Sequence, residues 1–580
     1  MQSLIKRLTL AHNLPCIDIL CNQEDNSISH KNHAFIVEKR YNMGKKGLFL
    51  VLLPLLLVTS LSLVVCRPVS ASDYTDVTVI EGKNMIDSNP SLVILDVRNE
   101  SEYVTGHIRN AKRIPLFQLN TSLNQLNPAD TILVYCRAGG RSATASQILA
   151  SEGFNHIYNM LGGITDWTRE QYPTYIKYTS IQEAINNATD GASLYVGQGQ
   201  YLEHPWINKS LNLIGENKEN TILDGSSNGT VLYVNADNIS ISDFKIQYSG
   251  CACSGYCGIN IESNHQNINI TNNNLVSDGF AIQMVNVQKV LIIRNNITFS
   301  NDYCLVVHDS TQVSVIENNI ANNLYGIDVE NSTHIIFSNN NITNSQDGIS
   351  LIVSANNTIT GNLIGSNAMY GIYINQSNNN TFYHNRIQAN GRQVSSRNSS
   401  NKWDNGLEGN YWSNYTGVDT DNDGIGNTPQ VVDSQNIDNF PLVGISSDYH
   451  FSANQDVNVI SNSTIDSCEF IAPNSIKVQV SNTTGNQTTG FFRISIPHSL
   501  IDPGNGTLQV IIDNGQTPVL FLNGTLYDNG THRWTYFTYQ HSTREILIIP
   551  EFPLQLIFPL LMTSTIMWAL MRRRRRAEIG

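Results

Sequence analysis

Hydrophobic and polar positions fall into distinct patterns along the chain, each predicting a different element. Leu48 to Val65 and Phe552 to Met571 are nearly continuous apolar runs. Between residues 76 and 175, short β-rich apolar runs alternate with helical periodicity, which predicts an α/β domain around a parallel sheet. Leu92 to Leu95 and Ile132 to Tyr135 read as its buried strands, and a helix opening after Ser142 and running to Glu152 is stopped by Gly153. Residues 450–545 alternate as strands do, at Ser475 to Val480, Phe491 to Ile496 and Leu508 to Ile512, with Asn/Gly turns between them. That pattern predicts a small β-sandwich.

The segment between these two is a repeat. An Asn stands two residues before an apolar position at Asn273, Asn295, Asn318, Asn340, Asn362 and Asn385, at intervals of 22 or 23 residues. A second register keeps step with it: Gly258-Ile259, Ala281-Ile282, Cys304-Leu305, Gly326-Ile327, Gly348-Ile349 and Gly371-Ile372. Two apolar β-like stretches per repeat, with Asn at one corner, predict a parallel β-helix over 178–445 whose coils stack ~4.8 Å apart. The Asn side chains then form an amide ladder. Ser180-Ile181-Gln182-Glu183 reads as a capping box opening a short helix that plugs the first coil. Gly409-Asn410-Tyr411-Trp412 lies near the other end.

The two long apolar runs set the topology. Lys45 and Lys46 precede the first and Val69-Ser70-Ala71 follow it, which are the parts of a signal peptide over 43–71. Residues 1–42 are polar and aperiodic and read as an over-long start. The second run, 552–571, reads as a transmembrane helix. Arg572 to Arg576 in the tail 572–580 hold that end inside and place 72–550 outside the cytoplasm. The Pro550-Glu551-Phe552-Pro553 sequence with this helix and tail resembles the carboxy-terminal sorting signals of archaeal surface proteins, which implies cell-surface anchoring.

Composition narrows the partners. Charged residues are 14% of the 580, well under the about 25% of ordinary soluble proteins, which suits an exported repeat protein. A net charge of −13 leaves no basic stripe for phosphates, so nucleic acid is excluded. Asn-x-Ser/Thr sites at Asn228, Asn269, Asn331, Asn482 and Asn523 fit a glycosylated exterior.

The strongest chemistry lies in Cys136-Arg137-Ala138-Gly139-Gly140-Arg141-Ser142, between a buried strand and a helix. Amides of a Gly-containing loop, a helix N-terminus and two arginines all favour a thiolate on Cys136. This stretch resembles the rhodanese family. The matching pieces are Leu95-Asp96-Val97-Arg98, Glu102-Tyr103, Gly106-His107-Ile108, Ile114-Pro115, the cysteine loop, and Leu161-Gly162-Gly163-Ile164 with Trp167. The resemblance implies that Cys136 carries sulfur as a persulfide, that the loop through Ser142 cradles it, and that Asp96, Arg98, Glu102 and His107 brace the loop. It also implies a sulfur donor such as thiosulfate, a thiol or cyanide acceptor, and no required cofactor. Arg141 five residues after Cys136 fits the sulfur-transfer loop rather than the longer one of related phosphatases. Asn110 stands where the family usually has glycine, and Arg113 where it often has asparagine.

Candidate ligands are sparser in the repeat. The segment resembles right-handed β-helix proteins grouped with the copper-associated factor of nitrous oxide reductase maturation and with carbohydrate-binding or sugar-hydrolase domains. His265, His308, His334 and His384 are scattered, which argues against copper. Asp278, Asp302, Asp328 and Asp347 occupy different registers and do not stack into a catalytic pair. Cys251, Cys253 and Cys257 are expected to form disulfide rather than bind metal. Asp419, Asp421 and Asp423, with Gly424, resemble the first half of a calcium loop, although Gln430 stands where its closing Glu is usual.

Two readings follow. The first is a surface-anchored sulfurtransferase displayed on a β-helical stalk. The second is a glycan-binding or adhesive surface protein in which the rhodanese module is an accessory.

Overall fold

A computed structural model describes residues 74–550 apart from 453–454, 472–473, 503–507, 514–518, 523–524 and 541–543. The over-long start, signal peptide, anchor helix and basic tail expected from the sequence lie outside the described residues. Among the described residues no helix is long and apolar enough to cross a membrane.

The first module is a five-stranded parallel sheet. Its strands are β1 (Thr75–Val77), β2 (Val93–Asp96), β3 (Lys112–Arg113), β4 (Thr131–Tyr135) and β5 (His156–Met160), in the order β1-β5-β4-β2-β3. Strand β4 is central, and its residues 132–135 are fully buried because both faces are covered. Ile132 and Val134 pack with Ala145 and Leu149 on one face, Leu133 and Tyr135 with Met160 and Trp167 on the other. Helix α1 (Val79–Ser88) starts at a capping box between Thr78 and Glu81. It is followed by α2 (Glu100–Tyr103), α3 (Gly140–Ser151) and α4 (Gly163–Arg169).

Helix α5 (Ile181–Asn187) begins the second module, capped by Ser180 accepting from Glu183 N. The expected capping box differs in one partner. The Glu203 carboxylate, from the first coil, accepts from Ser180 Oγ and from the amides of Ile181 and Gln182. Behind this helix stand parallel stacks of ten, nine and nine strands, so the repeat is a β-helix with three strands per coil, not two. The third strand is short, as at Asn296–Thr298 and Asn319–Ala321, and three residues are too few for a readable alternation.

The expected Asn ladder is continuous. Asn318 Oδ1 accepts from Asn295 N at 2.8 Å and Asn295 Nδ2 at 3.0 Å, and Asn318 passes the same pattern on to Asn340 Oδ1 at 2.9 and 3.0 Å. It runs from Asn273 to Asn410 and ends on Asp438, which accepts from Asn410 N and from the indole of Trp412. The residue before each ladder Asn from Asn273 to Asn385 is left-handed, as at Arg294 (φ 58°) and Glu317 (φ 55°), which turns the Asn inward. A second ladder, Asn357 to Asn380 to Asn401 to Asn436, and a serine ladder from Ser310 through Ser332, Ser354 and Ser377 occupy other corners.

The third module is two five-stranded antiparallel sheets beginning at Ile445, face to face over a core that includes Val459, Ile476, Val478, Phe492 and Ile494.

Candidate active site

Cys136 follows β4 directly and is 1% exposed. Gly139, at φ 99°, turns the chain into α3, and its amide donates to Cys136 Sγ at 3.2 Å. Burial alone would raise the thiol's pKa. Hydrogen bonds from the Ser142 hydroxyl and from the amides of Ser142, Ala138 and Gly139 outweigh it, so the pKa lies below that of an ordinary cysteine. The Ser142 hydroxyl also lies 2.9 Å from the Gly139 carbonyl, which fixes its rotamer across the loop.

The outside of the loop is held by α4. Ile164 N donates to Cys136 O at 2.9 Å, Thr165 N to Arg137 O at 3.1 Å, and the Thr165 hydroxyl to Arg137 O at 2.8 Å. With these carbonyls drawn outward, the intervening amides face the sulfur. Only glycine fits where the two segments meet, because a Cβ on Gly163 (φ 54°) would lie 2.3 Å from Cys136 O. Thr165 has no role in the expectations from sequence; its only signal was its place just after the matching Gly162-Gly163-Ile164.

Arg141 does not point an open fork at the sulfur. Its Nη1 and Nη2 donate to the two carboxylate oxygens of Glu102 at 2.7 and 2.6 Å. This pair brings the Glu102 carboxyl down to about 2. Arg137 is exposed, while Ala138 and Gly140 line the loop with backbone only. Asp96 and Arg98 form a buried fork, with Arg98 Nη2 2.6 Å from Asp96 Oδ2 and 2.8 Å from Gly106 O. The Arg98 guanidinium lies over the Tyr135 ring, one residue before the nucleophile. They therefore hold the strand end that carries Cys136.

His107, expected as a loop brace, reaches into the second module. Its ring stacks on Tyr103 and its Nε2 lies 2.9 Å from Glu216 Oε2 in the second module. The Asn110 amide donates to the other Glu216 oxygen at 2.8 Å, from a left-handed backbone (φ 57°) that accounts for the family's usual glycine there.

Residues 78–170 match the family model of the rhodanese-like domain. The chain carries a rhodanese-like domain. Residues 181–417 match the model described as periplasmic copper-binding protein (NosD), and this NosD-like domain is the stack of parallel sheets. The rhodanese-like domain is 36% identical over 99 residues to a putative sulfur carrier protein, YrkF, of Bacillus subtilis, covering 17% of this chain and 54% of that one. It is 29% identical over 101 residues to the thiosulfate sulfurtransferase GlpE of Coxiella burnetii, covering 17% of this chain and 92% of that one. A crystal structure of a rhodanese-related protein from Thermoplasma volcanium is 31% identical, covering 18% of this chain and 99% of that one, with a TM-score of 0.17. The chain spans 54 and 59% of the first two curated relatives it matches.

Among the described residues the donor set for copper is not assembled. His265, His308 and His384 are each engaged by a carboxylate, from Asp237, Asp328 and Glu408 respectively. Among the described residues the one group of three His, Cys, Asp or Glu side chains with ligand atoms close together is Asp419, Asp421 and Asp423, an oxygen set that suits a hard cation. Three of these oxygens already accept backbone amides: Asp419 Oδ1 from Asp423, Asp419 Oδ2 from Gly424 and Asp423 Oδ1 from Ile425. Cys251 and Cys253 are joined in a disulfide, whereas Cys257 and Cys304 are buried free thiols, so the expected cysteine cluster is one bridge and a core residue. Burial pushes the Cys257 thiol up to about 12.

Proposed function

We propose that the chain is an extracytoplasmic, membrane-anchored sulfurtransferase working through a persulfide on Cys136. The observation that carries this reading is the Cys136 sulfur held against amide and hydroxyl donors, with a pKa below that of an ordinary thiol. The thiolate attacks the outer sulfur of thiosulfate, the S–S bond of thiosulfate breaks, and sulfite leaves with the electron pair. The persulfide anion then occupies the ring of loop amides. A cyanide or thiolate acceptor attacks its terminal sulfur, and Cys136 returns as the thiolate. The likeness to a thiosulfate sulfurtransferase over the whole domain supports this chemistry.

The reading of location is supported by the basic, apolar and small-residue pattern over 43–71, the apolar run over 552–571 with its arginine tail, and the periplasmic description of the family model matching 181–417. The right-handed β-helix is the stalk, and the sandwich stands between it and the anchor. Calcium is the ion we assign to the Asp419, Asp421 and Asp423 loop, as a structural element.

The deciding experiment is thiocyanate formation from thiosulfate and cyanide by the purified full chain. The parent is expected to turn over, and Cys136→Ser and Cys136→Ala are expected to be inactive. Turnover in either variant would remove Cys136 from the mechanism.

A further inference from the structure

Between the strands Lys245–Gln247 and Cys257–Ile261 an early coil carries a loop whose tip is Cys251-Ala252-Cys253. Both ends of the loop are pinned to neighbouring coils. On the way in, Gly250 N donates to Gly229 O at 2.8 Å and Ser249 N to Asp278 Oδ1 at 3.0 Å, while the Ser249 hydroxyl accepts from Gly279 N at 2.7 Å. On the way out, Tyr256 O accepts from Phe280 N at 3.2 Å and Cys257 N donates to the Thr230 hydroxyl at 3.2 Å. The packing is close, since a Cβ on Gly279 would lie 2.7 Å from Gly250 O and 2.8 Å from Ala252 N. The loop's shape is therefore set without the Cys251–Cys253 bridge, whose two residues stand exposed at the tip.

A bridge between residues two apart in sequence is a weak staple, because the entropy it removes from the unfolded chain grows with the length of the loop it closes. Nor does burial protect it. Structural bridges of exported proteins resist reduction by glutathione, whereas exposed ones exchange with thiols. The third cysteine of the cluster takes no part: Cys257 is wholly buried, its sulfur lies 3.6 Å from the Thr230 hydroxyl, and burial keeps it protonated. Exchange therefore calls for a thiol from solvent. One contact gives the pair a direction. Cys253 N donates to Cys251 Sγ at 3.2 Å, so of the two sulfurs Cys251 is the one held ready as a thiolate leaving group.

We propose that Cys251 and Cys253 are a thiol–disulfide exchange site, a second activity of the chain whose co-substrate is an external dithiol. A thiolate of the dithiol attacks Cys253 Sγ, the Cys251–Cys253 bond breaks, and Cys251 leaves with the electron pair as a thiolate beside the Cys253 amide. The second thiolate of the dithiol then attacks its own sulfur in the mixed disulfide, and Cys253 leaves. The dithiol departs as its disulfide, having passed two electrons and two protons to the cysteine pair. The reverse sequence returns the bridge by reducing an external disulfide. The pinned loop keeps the two sulfurs adjacent in both states, so neither direction requires the coil to rearrange. Cys136 belongs to another core, and the exchange does not depend on sulfur transfer.

The test starts with the purified full chain equilibrated in glutathione buffers of rising reduced-to-oxidised ratio, quenched with acid and alkylated with iodoacetamide. Mass spectrometry of the peptide carrying residues 251 and 253 reads the state of the pair. Oxidised and reduced forms are expected to coexist within the series, with the melting temperature of the chain unchanged by reduction. A pair that stays wholly oxidised at the most reducing ratio overturns the proposal. So does a marked fall in melting temperature on reduction, which would assign the bridge to stability. Catalysis is read as acceleration of the reduction of insulin by dithiothreitol. The parent is expected to accelerate it, and the double variant Cys251→Ser, Cys253→Ser to lose the acceleration while forming thiocyanate like the parent. Equal acceleration by parent and double variant, or none by either, overturns the proposal.

Discussion

His107 Nε2 and Glu216 Oε2 are 2.9 Å apart and both side chains are almost wholly buried, at the joint between the rhodanese-like domain and the first coils. Asn110 N and Gln198 N also donate to this carboxylate, so it is satisfied from both modules. Beside it Tyr175 exchanges two backbone hydrogen bonds with His107, while Ile176 pairs in parallel with Val196. The far end of the β-helix repeats the device. Glu408 accepts from Arg493 and Trp534 of the sandwich and lies 2.8 Å from His384 Nε2. Each joint is thus centred on a buried carboxylate, and the first fixes the direction in which the Cys136 loop faces relative to the first coils.

Replacing Glu216 by Ala should loosen the first joint. It strands the His107 ring and two amides in a buried space, at about 1–3 kcal/mol for each group left unsatisfied. Limited proteolysis around residues 173–180 is expected to accelerate. Equal protease resistance in variant and parent would show that the backbone pairing alone holds the joint. Burial would raise the Glu216 carboxyl, but His107 and the amides hold it below the ordinary glutamate value of 4.5. A depressed folded pKa gives stability that is complete above 4.5 and is lost as pH falls through the folded value. The joint should therefore open on acidification.

The parts legible in the sequence are those with local or periodic signals. The Cys136 loop was readable because its residues are contiguous, and the Asn corners because their interval repeats. The partner of His107 was not readable, since Glu216 is 109 residues away and belongs to another module. The third strand of each coil was missed because it is short, and Glu203 as a cap because a coil, rather than the helix itself, supplies it.

Ser142→Ala should raise the pKa of Cys136, because the hydroxyl is the leading favourable contact to the sulfur. The pH profile of alkylation by iodoacetamide is expected to move to more alkaline values. Arg141→Ala should move it in the same direction by removing a nearby positive charge. An unchanged profile in the arginine variant would assign Arg141 to holding Glu102 alone.

Two glycines on opposite sides of the nucleophile should respond differently to a methyl group. Gly163→Ala places a Cβ against the carbonyls of Cys136 and Arg137 at a left-handed φ, and strain of this kind costs about 1–3 kcal/mol. Thiocyanate formation should fall with stability as the loop is displaced. Gly140→Ala meets no atom within 4 Å and should be neutral or slightly stabilising at the start of α3. Equal melting temperatures for the two variants would show that the loop absorbs the displacement.

Asn318→Leu tests whether the ladder holds the coils together. Asn318 Oδ1 accepts from Asn295 N and Nδ2, and its own Nδ2 donates to the carbonyls of Ile292 and Ile316 as well as to Asn340 Oδ1. Leucine can make none of these contacts, and its branched end would sit among buried carbonyls and amides. Several polar groups lose their partners at once, at about 1–3 kcal/mol for each one left unsatisfied. The cost should fall on neighbouring coils, because in a stacked array each coil is stabilised by contacts with the next. Hydrogen exchange is expected to quicken at the amides of Asn295 and Asn340 before it does in α3, which belongs to a separate core. Uniform loss of protection across the whole chain would mean that the modules unfold as one unit. Protection like the parent's at Asn295 would show that the side-chain ladder adds nothing beyond the backbone pairing of the strands.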